Sequence, residues 1–212
     1  MTGVAMPARS IAYPVTGAPS PNPIDPPRPG KVAAARPIFE KRAMDEIKRS
    51  FPPVVDSRTR VLVLGSLPGE ESLARSQYYA NPRNHFWRLI GAVSGLDLVP
   101  LPYEARLRAL VEARIGLWDT VRAATRRGSL DGAIRDHRAN DLADLVGRLP
   151  ELRAVGFNGG KSASLGARQL AARPDLALIA LPSSSPAYTR PFEEKLAEWM
   201  RLAPYLEPLE SP

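Results

Sequence analysis

The 212-residue chain has no cysteine and only two histidines. Without cysteine there can be no disulfide, no iron–sulfur cluster and no thiol nucleophile. With His85 and His137 as the only imidazoles, a histidine-rich metal centre is not expected. No apolar run reaches the roughly 18 residues a membrane span needs, so no membrane partner is expected. The N-terminus lacks a compact apolar signal core, and the expectation is a cytoplasmic protein. What is abundant is proline, at 23 residues, and positive charge, with 29 Lys and Arg against 22 Asp and Glu. The net charge of +7 and isoelectric point of about 10.0 suit a polyanionic partner, nucleic acid above all.

Nearly half of the prolines fall at or before Pro53. The stretch "APSPNPIDPPRPG" cannot form helix or sheet, because proline fixes φ and removes the N–H donor. Residues 1–36 therefore read as a disordered tail, and 37–212 as the folded domain. In the tail Arg9, Arg28, Lys31 and Arg36 face a single acid, Asp25. It is either a passive extension or a loose phosphate contact. A short helix is expected over "PIFEKRAMDEIKRSF".

From Arg60 onward strands and helices alternate. "RVLVLGS", "IGLWDTV", "LRAVGFNG" and "LALIALPSS" read as four buried strands. "NHFWRLIGAVSG" carries Phe86, Leu89, Ile90 and Val93 at helical spacing, and "YEARLRALVEAR" places Leu107, Leu110 and Val111 on one face. "NDLADLVGRL", capped by Asn140 or Asp141, "KSASLGARQLAA" and "PFEEKLAEWMRLAPYL" complete the helices. This order predicts an α/β fold, a three-layer α/β/α sandwich around a short, mostly parallel four-stranded sheet. In such sheets ligands bind past the carboxyl ends of the strands. The loops there are "GSLPGEES", "WDTVRAATRRGS", "NGGKS" and "PSSSPAYT", all small or polar.

Each loop has a chemical reading. Gly65 and Gly69 allow close backbone approach, and Ser66 with the free N–H groups can hold a polar ligand edge. Glu70 and Glu71 suit a helix N-terminus, or one of them a general base. Gly160-Lys161-Ser162 ends like a phosphate-cradling loop, but the first glycine would have to be residue 155, which is Val155. That spacing disfavours an NTPase and leaves Lys161 as a candidate DNA-phosphate contact. "SQYYANPRNHFW" concentrates aromatics that can stack on a base and asparagines that can bond a base edge or orient water. Phe86 and Trp87 are read as core; His85 is expected to point away from Asn84, and His137 to sit in a solvated turn. Ser183, Ser184, Ser185 and Pro186 form a hydroxyl-rich edge able to touch phosphates without charge.

Taken in order, "GSLPGEESL", "YYANPRNHFW", "LWDTVRAATRRGSLD", "FNGGKS" and "LPSSSPA" resemble the uracil-DNA glycosylase superfamily, most of all its hypoxanthine-DNA (deoxyinosine) glycosylase branch. The likeness runs from about Val61 to Trp199 and leaves the tail out. It implies a monofunctional enzyme, working as a monomer without metal or organic cofactor. Such an enzyme flips a damaged nucleotide out of double- or single-stranded DNA and hydrolyses its N-glycosidic bond. By the same likeness Gly65, Ser66, Leu67, Pro68 and Gly69 line the base pocket. Where relatives carry an acid or asparagine this chain has Leu67, so water handling moves to Asn84, which matches the asparagine of the family's P-x-N-x-F-W segment. Tyr79 is expected to stack on the base and Asp119 to read its edge, as acceptor or, if protonated, as donor. Lys161 and Ser183 to Pro186 are expected on the DNA backbone, with Tyr188 wedging the gap. A thymine/uracil mismatch glycosylase and an inactive lesion-binding module are the alternatives.

Overall fold

The structure, a computed structural model, describes residues 47–207. The proline-rich tail lies outside the described residues. Strands β1 (Ile47–Arg49), β2 (Val61–Gly65), β3 (Ile115–Asp119), β4 (Val121–Thr125), β5 (Arg135–Ala139), β6 (Ala154–Asn158) and β7 (Ala177–Leu181) form two sheets. The helices are α1 (Glu70–Arg75), α2 (Phe86–Ser94), α3 (Tyr103–Glu112), α4 (Leu142–Gly147), α5 (Gly160–Gln169) and α6 (Phe192–Trp199).

The central sheet is parallel, in the order β3-β2-β6-β7. Alternation along β2 sends Val61 and Val63 to one apolar cluster and Leu62 and Leu64 to the other. The first cluster gathers Phe86, Leu89, Ile90 and Val93 of α2, Leu110 of α3 and Trp199 of α6. The second gathers Leu142, Leu145 and Val146 of α4 with Phe157 and Leu170. Helices therefore cover both faces, and the α/β/α sandwich read from the sequence is the fold observed.

A second sheet was not anticipated. It is antiparallel, in the order β1-β4-β5. Ile47–Arg49 is a strand, paired with Ala123–Thr125, where the sequence suggested the end of a helix; the rest of that expected helix up to residue 46 lies outside the described residues. The segment read as one strand, "IGLWDTV", is two: β3 ends at Asp119, and β4 begins at Val121 in a different sheet. His137 sits within β5, exposed, rather than in a turn.

Gly166 lets α5 approach β6. A Cβ on Gly166 would run into the ring of Phe157, itself 1% exposed. Ser162 ties the same helix to β2, its hydroxyl donating to the Leu64 carbonyl at 2.7 Å. Gly166→Val is expected to lower stability by about 1–3 kcal/mol through overpacking. Urea denaturation measures this, and an unchanged midpoint would contradict the packing described.

Candidate active site

The carboxyl ends of the parallel strands bring polar side chains into one row. Gly65 ends β2 directly opposite Asp119, which ends β3. On the other flank Leu64 pairs with Phe157, which sets Asn158 at the same level. Above this row opens a cleft of about 800 Å³. Its floor and walls include Gly65, Ser66, Leu67, Pro68 and Gly69, then Tyr79, Asn84 and Asp119, then Ser183, Ser184, Ser185, Pro186 and Tyr188. All the expected site residues thus meet in one place except Lys161, which stands in the first turn of α5 and does not line the cleft.

Asp119 is the chemically distinctive group. It is 3% exposed, and Oδ2 has no hydrogen-bond partner. Burial pushes its carboxyl up to about 7; the nearby Arg126 cation opposes the rise and Asp131 adds to it. A Cβ on Gly65 would lie 2.5 Å from Asp119 Oδ1 and 3.1 Å from the Tyr79 hydroxyl, so only glycine leaves room for both.

Tyr79 holds a left-handed backbone, φ 52°, a conformation that costs a tyrosine on the order of 1–3 kcal/mol. Its ring stacks on Phe86 at 3.7 Å and 9°. Its hydroxyl accepts from Asn158 Nδ2 at 3.2 Å. Burial raises its phenol well above the usual range, and the charge of Asp119 adds to the effect, so it stays protonated.

Asn84 faces the cleft while its Oδ1 accepts from the Phe86 N–H at 3.0 Å, an Asx turn leading into α2. That bond fixes the carboxamide, and the oxygen's second lone pair remains able to hold a water. The neighbouring His85 N–H donates to the Ser184 carbonyl at 3.0 Å, so the segment that carries Asn84 is tied to the serine-rich loop. The His85 ring itself packs edge-on against Phe192, 5.4 Å away, and does not line the cleft. Leu67 is 6% exposed and packs with Val121, Ala124 and Ile134, which suits a wall rather than water handling. Glu70 is paired with Lys48 at 2.7 Å, which holds its carboxyl below the usual range. Glu71 reaches the cleft and pairs with Arg75 at 2.9 Å.

Sequence reasoning missed the groups that brace the two main loops. Arg126 is 3% exposed beneath the Gly65–Gly69 loop. Nη1 donates to the Leu67 carbonyl at 3.1 Å and Nη2 to the Pro68 carbonyl. Lys195 is fully buried beneath the serine-rich loop, donating to the carbonyls of Tyr188 at 2.6 Å and Ser185 at 3.4 Å. Asn158 donates to Ser184 Oγ at 2.9 Å and accepts from the Ser184 N–H at 2.8 Å. Its signal was present: a polar residue at the carboxyl end of an apolar strand, the same position that marked Asp119. The cations gave none, since arginine and lysine are ordinarily exposed.

The chain belongs to the uracil DNA glycosylase superfamily, whose family model matches residues 52–207. A hypoxanthine DNA glycosylase of Methanosarcina acetivorans is 43% identical over 153 residues, covering 72% of this chain and 96% of that protein. A hypoxanthine DNA glycosylase of Methanosarcina barkeri is 47% identical over 115 residues, 54% of this chain and 73% of that one. A solution NMR structure of a Methanosarcina acetivorans protein superposes with a TM-score of 0.68 at 42% identity, over 76% of this chain and 99% of the other.

Asp119 supports a stability prediction. Its folded value of about 7 lies above the ordinary 3.8, so its ionisation works against the folded state. That penalty is absent at pH below about 4 and grows as pH rises toward about 7. Asp119→Asn is therefore expected to raise Tm relative to the parent at pH 8, with the gap narrowing as pH falls toward 4. A gap independent of pH would show that the carboxyl titrates normally.

Proposed function

We propose that this chain excises hypoxanthine from DNA, hydrolysing the N-glycosidic bond of a deoxyinosine turned into the cleft. The observation that carries the reading is the buried carboxyl of Asp119, its Oδ2 without a partner, beside Gly65 and Tyr79 inside a cleft that also holds Asn84. A neutral carboxylic acid offers an O–H donor and a carbonyl acceptor side by side. That pair is complementary to the N–H and C=O of a lactam edge, which hypoxanthine carries. Tyr79, backed by Phe86, offers a ring for the base to stack on.

The reaction needs little from the protein beyond placement and charge stabilisation. As the bond from sugar to base lengthens, positive charge gathers on the sugar and negative charge on the base. Asn84 holds a water against the sugar; the water's hydroxyl adds to C1′ and its proton ends on the departing base. The amide is a poor base, so its part is positioning. The Asp119 proton stabilises the negative charge growing on the base. Products are the free base and an abasic site.

The enzyme acts as a monomer on lesion-bearing DNA, with the serine-rich loop on the backbone and Lys161 near a phosphate outside the cleft. Among the described residues no helix is long and apolar enough to cross a membrane, and no group of three or more His, Asp or Glu is placed to hold a metal ion.

The test is a panel of oligonucleotides bearing inosine, uracil, xanthine or a G·T mismatch, treated with alkali after reaction. Strand cleavage at inosine is the expected outcome. Cleavage only at G·U or G·T would establish the mismatch alternative, and tight lesion binding without cleavage the inactive one. Asn84→Ala is expected to cut single-turnover excision at least about a hundredfold with an unchanged fold. Wild-type rates in that variant would remove Asn84 from the chemistry. Excision is also expected to fall as pH rises through about 7, where Asp119 ionises. Asp119→Asn keeps a donor and an acceptor and should abolish that limb; the same limb in the variant would assign it to another group.

A further inference from the structure

Of the two cations buried beneath the cleft loops, only one has acids about it. Arg126 feels the charges of Asp131, Asp119 and Glu70. Lys195 is fully buried, and among the described residues no carboxylate pairs with it. Its partners are the carbonyls of Tyr188 and Ser185 and the face of the Tyr188 ring, 5.2 Å from Nζ. The acids of its own helix are engaged elsewhere or stand in solvent. Glu194 pairs with Arg190 at 2.8 Å, Glu198 with Arg201 at 3.2 Å, and Glu193 is exposed. Helix α2, packed against α6, adds basic groups: His85 at its N-cap, with Nδ1 buried and unpartnered, and Arg88, 4.1 Å above the Phe192 ring. Carbonyl dipoles offset only part of the cost of taking a cation out of water, and an apolar side chain would fill the space without that cost. The charge therefore serves something other than stability.

The loop above Lys195 supplies the other half of a site. Ser183 Oγ accepts from the Ser185 N–H and Ser185 Oγ from the Ala187 N–H, each at 3.2 Å. Both hydroxyls are thus held by their lone pairs, and among the described residues their own protons have no acceptor. Both line the cleft, whereas Ser184 is 1% exposed and bonded to Asn158. Two donors without acceptors, over a cation without an anion, fit an oxyanion of single charge.

We propose that Lys195 supplies the positive charge of a phosphodiester site whose donors are the Ser183 and Ser185 hydroxyls. This deepens the base-excision reading above and rests on it. The two serines share the cleft with Tyr79 and Asn84, so the phosphate belongs to the strand that carries the extruded nucleotide. A cation beneath the loop acts through protein rather than through salt solution, and its pull on the phosphate is less screened than that of a surface lysine.

The experiment measures binding to a duplex carrying 2′-fluoro-deoxyinosine. In the lesion strand, single methylphosphonates replace in turn the three phosphates on either side of the lesion, removing charge and keeping shape. At one of them the wild type should lose about tenfold in affinity, and Lys195→Met less than about twofold. A lysine that only braced the loop would weaken all duplexes alike, so an undiminished penalty in Lys195→Met overturns the proposal. A wild type with no sensitive phosphate overturns it equally. Methionine leaves two carbonyls without their donor, and a variant that unfolds is replaced by His85→Glu. This keeps the lysine and its bonds and sets a carboxylate at the start of α2, near enough that Lys195 already acts on the imidazole there. His85→Glu should lose the penalty and His85→Gln should keep it; the full penalty in His85→Glu overturns the proposal. Equal wild-type affinity for lesion and undamaged duplex would sink the base-excision reading and this site with it, whereas lesion preference with an unaltered penalty sinks the site alone.

Discussion

Two buried cations hold the cleft open. Loops past the carboxyl ends of a parallel sheet lack ladder partners, so side chains must meet their carbonyls. Arg126 meets those of Leu67 and Pro68, and Lys195 those of Ser185 and Tyr188. A charge in that position cannot be left unpaired without heavy cost, so each loop has one favoured path. Lys195 feels its burial, which lowers its ammonium below the ordinary range. Arg126 also feels Asp131, Asp119 and Glu70, whose charges favour its charged form. The same guanidinium restrains the upward shift of Asp119. Loop shape and carboxyl protonation are therefore one coupled property.

The division of charge follows the division of labour. Phosphate recognition asks for cations, and base recognition asks for directed donors and acceptors. Beside the cleft β5 is exposed along its length and carries Arg135 and Arg138, and the largely buried β4 exposes Arg122. Within the cleft Asn84, Asn158, Ser184 and a carboxyl near half-protonation dominate. These uncharged donors and acceptors suit a neutral base that becomes negative only as it leaves. The hydrogen bonds of Asn158 to Tyr79 and Ser184 join the Tyr79 ring to the serine-rich loop, so the two are set at a fixed distance.

The central layer was legible in the sequence because its pattern is local. Val61–Leu64 and Ala154–Phe157 are unbroken apolar runs ending in glycine or asparagine, and Phe86, Leu89, Ile90 and Val93 repeat at helical spacing. The small sheet was not legible. Every residue of β5 is exposed, and its Arg-Asp-His-Arg-Ala composition carries no strand signal; only pairing with β4 makes it a strand. The rim loops, the serine-rich turn among them, were readable by the rule that places ligands at strand carboxyl ends, while Asp119 itself was reached through the family resemblance. Arg126 was hidden among the arginines of "VRAATRRGS", and Lys195 read as the polar face of an ordinary last helix. Their burial is a tertiary fact. Lys161 illustrates the reverse: a conspicuous Gly-Lys-Ser turn whose serine hydroxyl serves packing, on Leu64, rather than a ligand.

The most direct measurement is a crystal structure of the protein bound to duplex DNA carrying 2′-fluoro-deoxyinosine, whose glycosidic bond resists cleavage. The account predicts hypoxanthine outside the helix, on the Tyr79 ring, with its lactam edge on the Asp119 carboxyl and Asn84 facing its sugar. A base left stacked in the duplex, or one bound away from Asp119, would contradict it.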